Sequence, residues 1–388
     1  MKLQLIIFRN FVGGRRMIQL VDRYKKDHQD KYLKPLWNTN TIYDETGVVI
    51  GEEGEMQVLF TPKKETLIVR DIHLEKLYQE GKDYLITDKG IKRIKGGNLP
   101  FFAVDEYFTK EKVAPILLEL DPEKENLVFD EKRYIYFSEG AEGVRNYLAV
   151  SYQTDEKWRG FVPMQDENAK RFVDVLRKNK KAKIVFYGDS ITVGCNASGT
   201  KQGGMLNPYL PPWYRLVADY LAERFEADIV VENQAVGGWS VKKGEDAFDE
   251  KILPHCEDTD LLVIAFGMND AHTVEDSYIQ STQKMMDKYL AVNSKGNILL
   301  VAPMLPNCQC RGWRKNQEIY ESSLLKIQQS YDNVSVARVT SVIFNMEKTG
   351  KPIRDWLANS VNHPTDFCVR IYAQVILQTL LGRDYTTI

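Results

Sequence analysis

A chain of 388 residues is longer than the ~100–200 residues of one ordinary domain, so two domains are expected. With 43% hydrophobic and 27% charged residues, and 52 basic side chains against 54 acidic ones, the composition is that of a soluble globular protein that can bury a sizeable core. It carries no charge bias towards nucleic acid or membrane surfaces, which sets aside partners of both kinds.

The opening MKLQLIIF is apolar, but Arg9, Arg15 and Arg16 interrupt it before it reaches the length of a membrane helix or a secretory h-region. A cytoplasmic protein is therefore expected, with residues 1–40 as an N-terminal extension with a helical segment and residues 1–16 lying upstream of the fold. The cysteines (Cys195, Cys256, Cys308, Cys310 and Cys368) are odd in number, form no CxxC pair and have no histidine at zinc-ligand spacing. Reduced thiols are expected, with no disulfide framework, metal or other cofactor.

From Thr41 to about residue 165, short apolar bursts of strand composition follow one another: GVVIGEEG, MQVLFTP, ETLIVRDI, DYLITDKGIKRI, ENLVFDEKRYIYFS and RNYLAVSYQT. In the last, Tyr147, Ala149 and Ser151 alternate with Leu148, Val150 and Tyr152, a period of two that suits a strand with two unlike faces. Gly, Asp and Lys turns between the runs predict a jelly-roll-like β-sandwich over 41–165, with a helical interruption near Ile72–Gln79.

After Asp166 the rhythm becomes strand and helix in alternation. NAKRFVDVLRKNKKA reads as a helix leading into the buried strand KIVFY, and further strands follow at DIVVE, DLLVIAF, NILLVAP and VSVARV. Between them, Pro212–Phe225 places Trp213, Leu216, Val217, Tyr220 and Leu221 at helical spacing. Five strands with crossover helices predict a parallel sheet covered on both faces, a three-layer α/β/α domain over 166–388. Reactive groups in such sheets gather beyond the carboxyl ends of the strands.

Those ends are informative. The first strand closes on Gly188-Asp189-Ser190, the second on Asn233-Gln234-Ala235-Val236-Gly237-Gly238 and the third on Gly267-Met268-Asn269-Asp270, while Asn362-His363-Pro364 precedes the final helix at about Thr365–Leu380. A serine hydroxyl is a weak nucleophile at neutral pH and needs a base such as His363 to take its proton. The oxyanion formed on attack needs donors fixed in advance, and the backbone N–H groups of Ser190 and Gly238 with the side-chain amide of Asn269 are the candidates. Asp189 and Asp270 are expected to bond backbone amides in their turns.

These four blocks resemble those of the SGNH (GDSL-type) hydrolases, in the same order. The resemblance implies a flavodoxin-like fold, a metal-free esterase mechanism, and Ser190, Gly238, Asn269 and His363 as the namesake residues, with Gly238 rather than Gly237 closing its block. The family's last block is Asp-x-x-His, whereas Ser360 stands at the acid's position here. Either Asp355 or Asp366 substitutes, or a backbone carbonyl orients the ring in a Ser-His dyad. The dyad is the expectation, because an acid at position 366 is accounted for by capping of the last helix. A β domain placed before an SGNH domain lacking this acid also resembles the carbohydrate esterase family 2 acetylesterases.

The loop Thr192–Gly199, with Asn196, and the segment Pro303–Asn307 are expected to border the pocket. Trp239, beside Gly238, is a candidate stacking face for a sugar ring. Of the other histidines, His255 lies in a loop and His272 after the Asn269-Asp270 turn, where solvation is the simpler account. The sequence thus predicts a serine esterase removing O-acetyl or other short acyl groups from a small-molecule or oligosaccharide ester. The alternatives are a lipase, thioesterase or acyltransferase on the same fold, and a non-catalytic carbohydrate-binding protein with a decayed site.

Overall fold

The five apolar runs after Asp166 each form a strand, and in a computed structural model of the chain they make one parallel sheet. Across that sheet the order is Asp228–Asn233, Lys181–Gly188, Leu261–Ala265, Asn297–Val301 and Val334–Ala337. The structure describes residues 11–12, 15–16, 31–110, 129–130, 133–310 and 312–385. By sequence the strand order is 2-1-3-4-5, the flavodoxin-like arrangement, whose ligand crevice opens where the order reverses beside strand 1. In register, Ile184 stands opposite Val231 on one side and Leu261 on the other.

Side chains leave a strand on alternate faces, and both faces of this sheet are covered. Ile184, Phe186, Val263, Leu299 and Val301 meet the helices Ala169–Asn179, Trp213–Phe225 and Asp366–Leu381. Val185, Tyr187, Leu262, Ile264, Ile298 and Leu300 meet a second layer that includes Glu275–Val292 and Gln317–Gln328. The α/β/α expectation therefore holds.

The preceding region is antiparallel. One three-stranded sheet orders Thr41–Val48, Tyr147–Gln153 and Ile68–Asp71, and a second orders Glu55–Gln57, Gly90–Arg93 and Tyr84–Thr87. Their facing side chains, among them Met56, Tyr84 and Ile91 from one and Ile42, Val69, Leu148 and Val150 from the other, share one core. A Cβ added at Gly47 would lie 2.4 Å from the Met56 methyl carbon, a measure of how closely the two sheets approach.

Two readings of the sequence change. Residues Ile72–Gln79 form no helix: the Asp71 carboxylate accepts from the backbone N–H groups of Glu75 and Lys76, and Leu74 adopts a φ of 59°, so the chain turns instead. The expectations for residues 1–30 lie outside the described residues, except for a ribbon pairing Phe11–Val12 with Arg15–Arg16. Residues 31–40, read as extension, dock on the last helix, where Gln374 accepts from the Leu36 N–H and donates to the Tyr32 carbonyl.

Tyr147–Gln153 forms a strand as its alternation suggested, and both of its faces are buried. Leu148, Val150 and Tyr152 face the sandwich core, while the Tyr147 hydroxyl reaches the α/β domain, 2.7 Å from the Leu357 carbonyl. Nearby, Thr46 Oγ1 donates to the Asp355 carbonyl and Arg370 donates to the carbonyls of Tyr43 and Asp44. The β domain is thereby bonded to residues 354–370, the stretch that contains His363. Among the described residues no helix is long and apolar enough to cross a membrane.

Candidate active site

The strand Lys181–Gly188 delivers Ser190 to the crevice. A Cβ at Gly188 would lie 2.4 Å from both the Ala265 carbonyl and Thr192 Oγ1, so glycine lets the following turn pack down on the third strand. Asp189 caps the single helical turn Ser190–Val193, its carboxylate accepting from the Ile191 N–H at 3.0 Å. Burial pushes the Asp189 carboxyl up to about 7. Ser190 becomes the first residue of that turn, 5% exposed.

His363 sits in a loop with little freedom. Asn359 Oδ1 accepts from the backbone N–H groups of Val361, Asn362 and His363 at 2.9–3.1 Å. The His363 carbonyl accepts from the Ala358 N–H, and Asn307 donates from its side chain to the Ser360 carbonyl. The result is direct: His363 Nε2 lies 2.8 Å from Ser190 Oγ, although 173 residues separate them in sequence.

On the far side of the ring, His363 Nδ1 lies 3.0 Å from Glu139 Oε2. The carboxylate therefore comes from the β domain. Burial works against the charge on Glu139, but attraction to His363 and hydrogen bonds from His363 and Asn359 outweigh it and hold the carboxyl below the usual glutamate range.

The other strand ends surround Ser190. Val236 N–H donates to the Gly188 carbonyl and Asn233 Nδ2 to the Thr192 carbonyl, tying the second block to the first. A Cβ at Gly237 would lie 3.8 Å from that of Ser190, and Gly238 has a φ of 75°, which favours glycine. Asn269 Nδ2 donates one hydrogen to the Trp239 carbonyl at 3.0 Å; an amide nitrogen carries a second. Asp270 serves its turn as expected, accepting from the Val241 N–H, and burial raises its carboxyl to about 6.

Several candidates stand elsewhere. Asp366 Oδ1 accepts from the Ser198 N–H at the start of the final helix, and Asp355 pairs with Lys351 at 3.2 Å. Neither meets the imidazole, and what stands against Nδ1 is a carboxylate rather than the backbone carbonyl of the expected dyad. Asn196 is buried at a φ of 65°, its Oδ1 accepting from the Gly140 N–H, so it braces the segment that follows Glu139. The Trp239 ring packs edge-on against Tyr187 on the second core, half-buried, which removes part of the stacking face assigned to it. His255 pairs with Glu232 and His272 is exposed. Pro303–Asn307 is buried behind the site, with the Met304 N–H on the Tyr372 hydroxyl and the Asn307 N–H on the Val361 carbonyl.

Sequence reasoning missed Glu139. The one signal was negative: Ser360 in place of an acid. The reason lies in the packing, since Ser360 is fully buried with its Oγ 3.5 Å from the Tyr147 hydroxyl, facing the domain interface rather than the imidazole.

Residues 186–367 match the GDSL-like lipase/acylhydrolase family model. No curated protein matches the chain by sequence. Similar solved structures include Axe2, an acetylxylan esterase from Geobacillus stearothermophilus, at 20% identity over 53% of this chain and 95% of that one, with a TM-score of 0.42. A two-domain esterase active on acetylated mannans is 19% identical over 55% of this chain and 52% of its own, with a TM-score of 0.42. LAE5, an alpha/beta hydrolase from the metagenome of Lake Arreo, Spain, is 17% identical over 50% and 93%, with a TM-score of 0.40. With the four sequence blocks, the 2-1-3-4-5 sheet and the family match in agreement, residues 186–367 are similar to the GDSL-like lipase/acylhydrolase family, and the protein is a carboxylic ester hydrolase.

Proposed function

We propose that the protein is a serine esterase that removes O-acetyl or other short acyl groups from a carbohydrate. The observation that carries this reading is the 2.8 Å contact between His363 Nε2 and Ser190 Oγ at the mouth of the parallel sheet. In the proposed reaction Ser190 Oγ attacks the ester carbonyl while His363 takes its proton. His363 then returns that proton to the departing sugar oxygen, and water, activated by the same imidazole, releases the acid from the acyl-enzyme. The backbone N–H groups of Ser190 and Gly238 and the second Asn269 amide hydrogen are assigned to the oxyanion.

Short acyl groups suit a site bordered by Pro303–Asn307, which follows the fourth strand and is buried in packing. A sugar leaving group suits the exposed Gly237 and Gly238 and the half-exposed Glu139, which make an open rim. The direct test is release of 4-nitrophenol from 4-nitrophenyl acetate, with Ser190→Ala abolishing it; a Ser190→Ala enzyme with most of its activity would end the assignment. Rates rising from acetyl to octanoyl esters would favour a lipase or thioesterase instead. Failure of the wild type to label with a fluorophosphonate would favour a non-catalytic binding protein, since labelling needs an activated serine.

A further inference from the structure

We infer that Glu139 is the residue that positions His363 for catalysis, so that the β domain supplies one member of a three-residue relay completed only across the domain boundary. The inference rests on the esterase reading of Ser190 and His363 and adds to it the group that orients the base.

A neutral imidazole carries one proton on two nitrogens, and the partner of one nitrogen decides which. An ionised carboxylate is an acceptor only. With Glu139 Oε2 3.0 Å from Nδ1, the proton resides on Nδ1 and the Nε2 lone pair faces the serine hydroxyl, the tautomer a general base requires. A backbone carbonyl would select the same tautomer, but a carboxylate also stabilises the imidazolium formed when Ser190 attacks.

The contact is built in. Glu139 Oε1 accepts from Asn359 Nδ2 at 3.0 Å, and the same side chain's Oδ1 holds three backbone amides of the histidine loop, including that of His363. One asparagine thus fixes the base and its carboxylate relative to each other. The backbone after Glu139 is fixed as well. Gly140 N–H donates to Asn196 Oδ1 in the loop that follows the nucleophile, and a Cβ at Gly143 would lie 2.7 Å from the Ala358 carbonyl. Only glycine lets the short helix Gly140–Val144 lie so close to the histidine loop. Glutamate here also accounts for Ser360, since the family's usual acid position points into the tyrosine-lined interface.

The test uses the full-length protein and the variants Glu139→Gln, Glu139→Asp, Ser190→Ala and His363→Ala. The readouts are kcat and KM on 4-nitrophenyl acetate, melting temperature, and the far-downfield proton resonance of an imidazole N–H bonded to a carboxylate. Glu139→Gln should lower kcat by about 100- to 10,000-fold, as the wrong tautomer does in a serine protease, with KM changed by less than about threefold. It should lose the downfield resonance and stay folded with only a small drop in melting temperature, and Glu139→Asp should recover activity relative to the amide. Glu139→Gln within about threefold of wild type, while Ser190→Ala and His363→Ala are inactive, would remove Glu139 from the mechanism and leave the esterase intact. Equal losses in Glu139→Gln and Glu139→Asp with matching drops in melting temperature would also overturn it, by showing a structural role. An active Ser190→Ala would sink both readings.

Discussion

Lys351 and Glu45 form an ion pair across the domain boundary at 3.1 Å, with both side chains fully buried. Lys351 also meets Asp355 at 3.2 Å and donates to the Gln57 carbonyl, while Glu45 accepts from the Tyr152 hydroxyl and the Leu59 N–H. Two carboxylates share one ammonium in this cluster, and the segment leading to the histidine loop is fastened to the β domain. Removing one partner strands the others without water. Lys351→Met should cost about 3–5 kcal/mol of stability, measured by urea unfolding, because it leaves two buried carboxylates uncompensated. A loss below about 1 kcal/mol would show the cluster to be hydrated.

Asn269→Ala tests the oxyanion donor. Loss of a donor that acts only in the transition state should lower kcat by about 100- to 1000-fold with little change in KM. Because Asn269 also donates to the Trp239 carbonyl, the melting temperature should be recorded beside the kinetics. A variant that raises KM alone would reassign Asn269 to substrate binding.

Gly238→Ala probes the backbone at a φ of 75°. An added Cβ meets nothing within 4 Å, so any effect arises from dihedral strain and not from a clash. Strain of about 1 kcal/mol or more should displace the N–H assigned to the oxyanion and lower kcat, while Gly237→Ala should be milder. The reverse ranking would move the donor to Gly237.

Asp366 is half-buried, and its carboxyl is raised to about 6 from an ordinary 3.8 by desolvation, against which the Ser198 bonds and Arg370 work. The folded state then holds the proton more tightly than the unfolded chain, so stability falls as pH rises from about 4 to about 6 and stays lower above that. Asp366→Asn keeps an acceptor for the Ser198 N–H and removes the titration. Its melting temperature should exceed wild type at pH 8, with the advantage gone near pH 4. Esterase activity should remain within about threefold, since Asp366 does not meet the imidazole; a large loss would restore it as a candidate acid.

Glu139 titrates in the opposite sense. Its carboxyl is held below the usual range, so the stability it contributes is present above the ordinary glutamate value of about 4.3 and is lost as pH falls through its lowered value. The stability of wild type relative to Glu139→Gln should therefore fall as pH drops from about 5 to about 3. A margin independent of pH down to 3 would mean that the carboxylate is not engaged with His363 in the folded protein.

The α/β domain could be read from sequence because its signals are local. A buried parallel strand must be a short apolar run, as Leu261–Ala265 and Asn297–Val301 are, and a tight turn after it calls for residues such as Gly188 and Asp189. Parallel strands also send their carboxyl ends to one edge, so Ser190 and Asn269 had to be near neighbours once the strands were recognised. Asp71 could have been read as a turn former; the helical reading of Ile72–Gln79 passed over a carboxylate that bonds two amides ahead of it.

The partner of His363 was of another kind. Glu139 and His363 are 224 residues apart and belong to different domains, and neither stretch carries a pattern that names the other. Their meeting depends on the surface that Tyr147, Thr46 and Arg370 form between the two cores, a product of packing over long separations. Local chemistry in the chain was enough to specify the sheet and to point to the proposed nucleophile and base. Which carboxylate faces the ring was decided by how two folded surfaces come together, because side-chain direction at an interface is set by three-dimensional contact and not by neighbours in sequence.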